Sequence, residues 1–140
     1  MQDLRSISPY GQDDKAYLAA GKEAGLQALA EEFYWLMEEL PEAETIRKMH
    51  KEDLGVMTDK LTLFLTMFLG GPKTYREKYK FVGMPVAHQH FIINEPERDA
   101  WLLCFDTAVD KQPWADDFKF YIKNQIRFPA EMIRRTSRKS

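Results

Sequence analysis

The sequence predicts an all-α fold, and three features of its patterning carry that prediction. Apolar residues recur at three- and four-residue steps over long stretches, no stretch alternates apolar with polar residues as a half-buried strand does, and proline or glycine closes the periodic runs. Residues 1–20 read as an irregular N-terminal extension. From Lys22 the pattern turns helical, with Leu26, Leu29, Ala30, Phe33, Met37 and Leu40 along one stripe until Pro41 ends it. A short polar stretch through Lys51 follows.

A second long helix is expected from about Glu52 to Leu69. Leu54, Met57, Leu61, Phe64, Leu65 and Phe68 form its stripe, while Val56, Leu63 and Met67 place apolar side chains on other faces. A helix apolar over so much of its circumference is sandwiched, either between neighbours or between core and ligand. Gly70-Gly71-Pro72 stops it, with glycine free to take the left-handed cap. Residues 73–87 read as an irregular loop, of a length that in a small domain is functional or disordered. The loop runs into His88-Gln89-His90-Phe91. Asn94 and Glu97 then pattern as the capping pair of a third helix, which carries Trp101, Leu102, Phe105, Ala108 and Val109 on one face and ends at Lys111-Gln112-Pro113. The last helix runs from Trp114 to about Arg127 along Phe118, Tyr121, Ile122, Gln125 and Ile126. Pro129 is expected to bend or interrupt it, and a flexible basic tail is expected over about residues 130–140. Residues 1–140 thus form a single domain of four substantial helices and shorter pieces.

Composition narrows the function. The 140 residues suffice for one core. Twenty basic and 22 acidic residues leave a formal net charge of −2. The basic clusters, Lys73 to Lys80 and Arg134-Arg135-Thr136-Ser137-Arg138-Lys139, are too short for a nucleic-acid face, so no nucleic acid is expected as a partner. No membrane is expected either, because the longest nearly apolar run, Leu61 to Leu69, is too short to span one. Met1-Gln2-Asp3-Leu4-Arg5 lacks the apolar stretch of a secretory signal, which makes the cytoplasm the expected location. The single cysteine, Cys104, excludes an intramolecular disulfide and a Cys-rich zinc site. Nucleophile elbows, phosphate-cradling loops and paired-carboxylate signatures are absent. Aromatic residues make up 13% of the chain, enough either to pack a core or to line something large and flat.

Three histidines, His50, His88 and His90, are the metal-ligand candidates. No carboxylate or thiolate stands near the pair at usual zinc spacing. They are surface residues, or His88, after a long loop and beside an apolar helix, is an axial ligand of haem iron.

Three strings decide between these readings. Phe33-Tyr34, then Phe68-Leu69-Gly70-Gly71-Pro72-Lys73-Thr74-Tyr75, then His88-Gln89-His90-Phe91 followed by Glu97-Arg98-Asp99-Ala100-Trp101, resemble group II (O-type) truncated haemoglobins in order and in the thirteen-residue step from His88 to Trp101. The resemblance covers roughly residues 20–110 and implies a two-over-two helical sandwich around haem b. It places His88 as the proximal iron ligand, with Phe91 beside it in the haem contact. Tyr34 and Trp101 match distal hydrogen-bond donors, His50 a third distal polar residue, and Met57 and Leu61 the distal wall. Lys60 matches a position that pairs with a haem propionate, and Tyr75 lies in the propionate-side loop. Departures accompany the match. Ala87 replaces a basic residue before the proximal histidine, Gly21-Lys22 replaces a glycine pair, Met57 is larger than the usual residue and is expected to narrow ligand access, and the chain after Pro113 matches loosely.

The function this implies is binding of dioxygen, carbon monoxide and nitric oxide at a donor-rich site. Neutral imidazole ligates through one nitrogen, and its other N–H is normally held by a carbonyl, for which Met84 and Pro85 are candidates. Trp101 can only donate, whereas Tyr34 and His50 can donate or accept. Each charge-assisted bond is worth about 1.5–3 kcal/mol, so losing one speeds ligand escape roughly tenfold or more. Three donors exceed what simple reversible storage needs, and point to slow release, or to nitric oxide dioxygenase or peroxidase-like redox work fed by a reductase. A monomer or weak homodimer is expected. The alternatives are a haem-based gas or redox sensor signalling to a partner protein, and a helical interaction module without cofactor.

Overall fold

The computed structural model describes residues 9–49, 53–79 and 92–137. Helix α1 spans Lys15–Ala19, α2 Lys22–Glu39, α3 Glu44–Met49, α4 Leu54–Phe68, α5 Thr74–Tyr79, α6 Glu95–Asp110 and α7 Asp116–Thr136. Short 3-10 turns occupy Pro9–Gly11 and Pro41–Ala43, and no β-strand occurs among the described residues. The four substantial helices expected from the periodicity are α2, α4, α6 and α7. They stack as two layers, α2 packing on α4 and on α6, and α6 on α7.

The stripe on α2 goes inward: Leu26, Leu29, Ala30, Phe33, Tyr34, Leu36 and Met37 are all buried. Its first turn rests on a corner at which Gly21 has φ +86° and Lys22 φ +62°. Glycine takes that left-handed conformation freely, whereas a lysine is strained there. At the far end Leu40 swings to extended backbone and Pro41 opens the 3-10 turn. Within the stretch read as polar, α3 forms because Ile46 reaches the core and Arg47 pairs with Glu38 of α2 at 2.7 Å.

Asp53 caps α4, its carboxylate accepting from the N–H groups of Gly55 and Val56 at 2.8 and 3.3 Å. Every residue from Leu61 to Thr66 is buried, which fits a sandwiched helix. Thr62 and Thr66 survive there because their hydroxyls donate to the carbonyls of Thr58 and Thr62 at 2.7 and 2.8 Å. The helix ends in a left-handed Gly70, φ +92°, with the Gly71 N–H returning to the Thr66 carbonyl at 2.8 Å. A Cβ on Gly70 would stand 2.1 Å from the Asp13 carbonyl oxygen, so the N-terminal segment crosses here on glycine backbone. Tyr17 N–H donates to the Leu69 carbonyl at 3.1 Å.

Besides α3, three elements differ from the sequence reading. Residues 15–19 of the N-terminal extension are helical, held by that crossing. Thr74–Tyr79 form α5 inside the stretch read as a loop, and Lys78 pairs with Asp59 of α4 at 2.7 Å. Most plainly, Pro129 does not interrupt the last helix, which continues to Thr136. The missing proline N–H costs one intrahelical bond, and buried Ile126 and Ala130 keep the register on either side. The basic residues 134 and 135 are turns of this helix, not tail. Arg134 and Arg135 both donate to Glu131, at 2.7 and 3.2 Å, and Arg98 of α6 joins them at 2.8 Å. At the start of α6 the expected capping pair is present in the bond from Asn94 N–H to Glu97 at 2.8 Å.

Two outcomes test this account. Replacing Lys22 by glycine relieves the left-handed strain and raises unfolding free energy by about 1 kcal/mol, a shift of a few degrees in a thermal melt; a lower melting temperature would contradict the corner. Hydrogen bonds from Arg134 and Arg98 hold the Glu131 carboxyl far below the usual glutamate range. A depressed folded pKa stabilises the fold above the ordinary glutamate value and is lost as pH falls below it, from about 4.3 downward. Urea midpoints of the native chain therefore drop more steeply between pH 6 and pH 3, values on the order of ordinary carboxylate titration, than those of Glu131→Gln.

Candidate functional site

Five of the residues singled out from the sequence converge from four helices onto one core cluster. Tyr34 comes from α2, Met57 and Leu61 from α4, and Trp101 and Tyr75 pack against the cluster from α6 and α5. Helical spacing explains the grouping: Met57, Leu61, Phe64 and Phe68 succeed one another along one side of α4, and Trp101 and Phe105 along one side of α6. His50, His88 and Phe91 lie outside the described residues.

Phe33 is the joint. Fully buried, its ring centroid is 5.0 Å from Tyr34 edge-on, 4.9 Å from Trp101 and 6.4 Å from Phe105. Trp101 and Phe105 stack on each other, 5.4 Å apart and 9° from parallel. These offset and edge-to-face contacts suit the ring quadrupoles and fix the indole of Trp101 in direction. A second aromatic group forms on α4, where Phe64 stacks on Phe68 at 5.6 Å and meets Tyr75 edge-on at 6.3 Å. Lys60, half-buried, precedes Leu61 on the same helix.

Polar chemistry within this apolar setting is sparse and directional. Trp114 spends its indole N–H on the Ala20 carbonyl at 3.2 Å. Trp101, half-buried in the aromatic cluster, makes ring contacts to Phe33 and Phe105 and has no protein acceptor for its N–H among the described residues. An oriented donor left over in an apolar aromatic cluster is what a site for a small polar ligand offers.

Cys104 is fully buried on α6, and burial pushes its thiol up to about 11. It remains a neutral thiol at physiological pH and offers no thiolate to a metal. No group of His, Cys, Asp and Glu able to hold a metal ion occurs among the described residues. The donor set fits haem: aromatic and thioether side chains for a flat apolar ring, one uncommitted N–H for a ligand on iron, and a lysine on α4 of the sign a propionate needs.

Sequence patterning had ranked Phe33, Phe64, Phe68 and Phe105 as members of helix stripes. Their arrangement as two aromatic groups was not visible in one-dimensional spacing, although the excess of aromatics was the signal.

Comparison with known proteins adds independent findings. A family model described as bacterial-like globin matches residues 15–132. The chain is 28% identical over 121 residues to group 2 truncated hemoglobin YjbI of Bacillus subtilis (strain 168), covering 86% of this chain and 89% of that protein. It is similar in structure to the group II 2-on-2 hemoglobin of Agrobacterium tumefaciens, with a TM-score of 0.78 and 34% identity over 89% of this chain and 95% of that one. The hemoglobin of Chloroflexus aurantiacus is similar too, with a TM-score of 0.76 and 28% identity over 84% and 95% of the two chains.

Phe33→Ala should cost about 3–5 kcal/mol in a denaturant titration, because it opens a cavity where the two layers meet. A loss under about 1 kcal/mol, the scale of a surface substitution, would show that Phe33 is not the joint. Cys104 should resist iodoacetamide in the native chain at neutral pH and react once the chain is unfolded, as mass spectrometry reads directly.

Proposed function

This chain belongs to the bacterial-like globin family and is a truncated haemoglobin of group II, and from that premise we propose that it retains haem b through His88 and holds a diatomic gas with donors from its distal side. The uncommitted indole N–H of Trp101 carries the proposal. Bound haem supplies a ferrous iron that takes up dioxygen, carbon monoxide or nitric oxide. The chain supplies the surroundings. Trp101 donates from α6, Tyr34 donates from α2 through its hydroxyl, and His50 completes the polar side. Met57 and Leu61 exclude water and crowd the approach, which strengthens each hydrogen bond that remains. Lys60 pairs with a propionate, and Tyr75, set against Phe64, lies on the propionate side.

Because three donors surround one small ligand, release is slow, and turnover of nitric oxide or peroxide with electrons from a reductase extends the same reading. The cytoplasm is the proposed setting for that exchange. No helix among the described residues is long and apolar enough to cross a membrane.

Visible spectra of the purified chain should show a Soret band in ferric, ferrous and carbonmonoxy forms, and His88→Ala should abolish or displace it; an unaltered band in that variant would overturn the assignment. Trp101→Phe keeps the ring stack on Phe33 and Phe105 and removes only the donor. Stopped-flow oxygen release in this variant should be faster by roughly tenfold, equivalent to about 1.4 kcal/mol, and an unchanged rate would remove Trp101 from the site.

A further inference from the structure

The outer side of α7 carries three large apolar side chains that the fold leaves uncovered. Phe120 is 62% exposed, Phe128 39% and Met132 48%, and with Asn124 they follow one another at four-residue steps. Single exposed apolar residues are ordinary on a monomer, whereas a row of them rimmed by charge marks a contact surface. The comparably exposed Trp35 has the Lys111 ammonium over its ring at 5.2 Å. Neither Phe120 nor Phe128 has a ring or cation partner among the described residues.

The charges along α7 say what fits the row. Asp117 in the first turn and Arg135 in the last are eighteen residues apart, about five whole turns, so they stand on one side of the helix at the two ends of the row. Both are exposed. A helix face acidic at one end, apolar in the middle and basic at the other is complementary to itself reversed. Under a two-fold axis beside Ile126, Asp117 faces Arg135 of the second copy, Phe120 faces Met132 and Asn124 faces Phe128, each pairing occurring twice. Other cations on α7 are committed within the chain: Lys123 to Asp110 at 2.6 Å, Arg127 to Asp106 at 2.7 Å and Arg134 to Glu131 at 2.7 Å. That leaves little for an anionic lipid surface, which attracts helices rich in free basic groups. We propose that α7 docks antiparallel on α7 of a second copy of this chain, through Phe120, Asn124, Phe128 and Met132, with Asp117 and Arg135 closing the two ends. The face is one helix wide, so the dimer is of the small, readily dissociating kind that buries less than about 1,200 Å².

Sedimentation equilibrium of the full-length chain as purified, from about 1 μM to about 1 mM, should show the average mass climbing from that of a monomer toward twice that value. The variant Phe120→Ser with Phe128→Ser should stay at the monomer mass throughout, with an unaltered far-UV spectrum. Asp117→Arg and Arg135→Asp should each weaken dimerisation by about tenfold, equivalent to about 1.4 kcal/mol, and the double reversal should return it to within about threefold of the native value. The two positions lie about 27 Å apart along one helix, so such recovery arises only between copies. These charge variants decide the matter if the serine variant does not fold. A monomer mass at every concentration would overturn the proposal, as would a double reversal no tighter than its single parents. Cosedimentation of a monomeric chain with phosphatidylglycerol vesicles, lost in the serine variant, would give the face to a lipid surface instead.

Discussion

The contact on which the rest depends is the packing of Phe33 against the stacked pair Trp101 and Phe105. It joins the two helical layers: α2, which carries Tyr34 and rests on α4, meets α6, which carries Trp101 and rests on α7. Because interiors are packed to crystal-like density and do not deform smoothly, a ring wedged at that junction sets the distance and angle between the layers. Tyr34 and Trp101 stand in a defined relation only while Phe33 is there. The donors proposed for a gas ligand are thus held in place by a side chain with no polar atom.

The two layers are bound by different physics. Between α2 and α4 the contact is apolar, with Leu26, Leu29, Leu61 and Leu65 all in the core cluster. Along the outside of α6 and α7, ion pairs repeat: Arg98 with Glu131, Arg127 with Asp106 at 2.7 Å, and Lys123 with Asp110 at 2.6 Å. Arg127 engages both oxygens of Asp106, the geometry in which such pairs contribute most. Partly exposed pairs are individually weak and screened by salt, so the α6–α7 layer is the more responsive of the two to ionic conditions.

Much of this was legible in the sequence where one local signal sufficed. The long periodic stripes, the capping pair Asn94 and Glu97, and the glycine stop at Gly70 are written in consecutive residues, and the structure follows them. The elements that were not legible depend on distant partners. Helices of five or six residues such as α1, α3 and α5 have too few turns to be stable by themselves or to display a period, and they form because Leu69, Glu38 and Asp59 receive them. Pro129 reads as a stop because its own chemistry says so, and it is overridden by burial on both sides and by three arginines gathered on Glu131. For the site, the family resemblance pointed to Tyr34 and Trp101, but only coordinates show that Trp114 has an acceptor where Trp101 has none among the described residues.

The bond from Tyr17 to Leu69 has a consequence for biosynthesis. A five-residue helix does not persist in water, and α1 completes its contacts only against a carbonyl encoded some fifty codons downstream. As the nascent chain leaves the ribosome, residues 15–19 lack this acceptor until Leu69 has emerged. This segment is therefore translated early and completed late, and such separation along the chain slows the closing step.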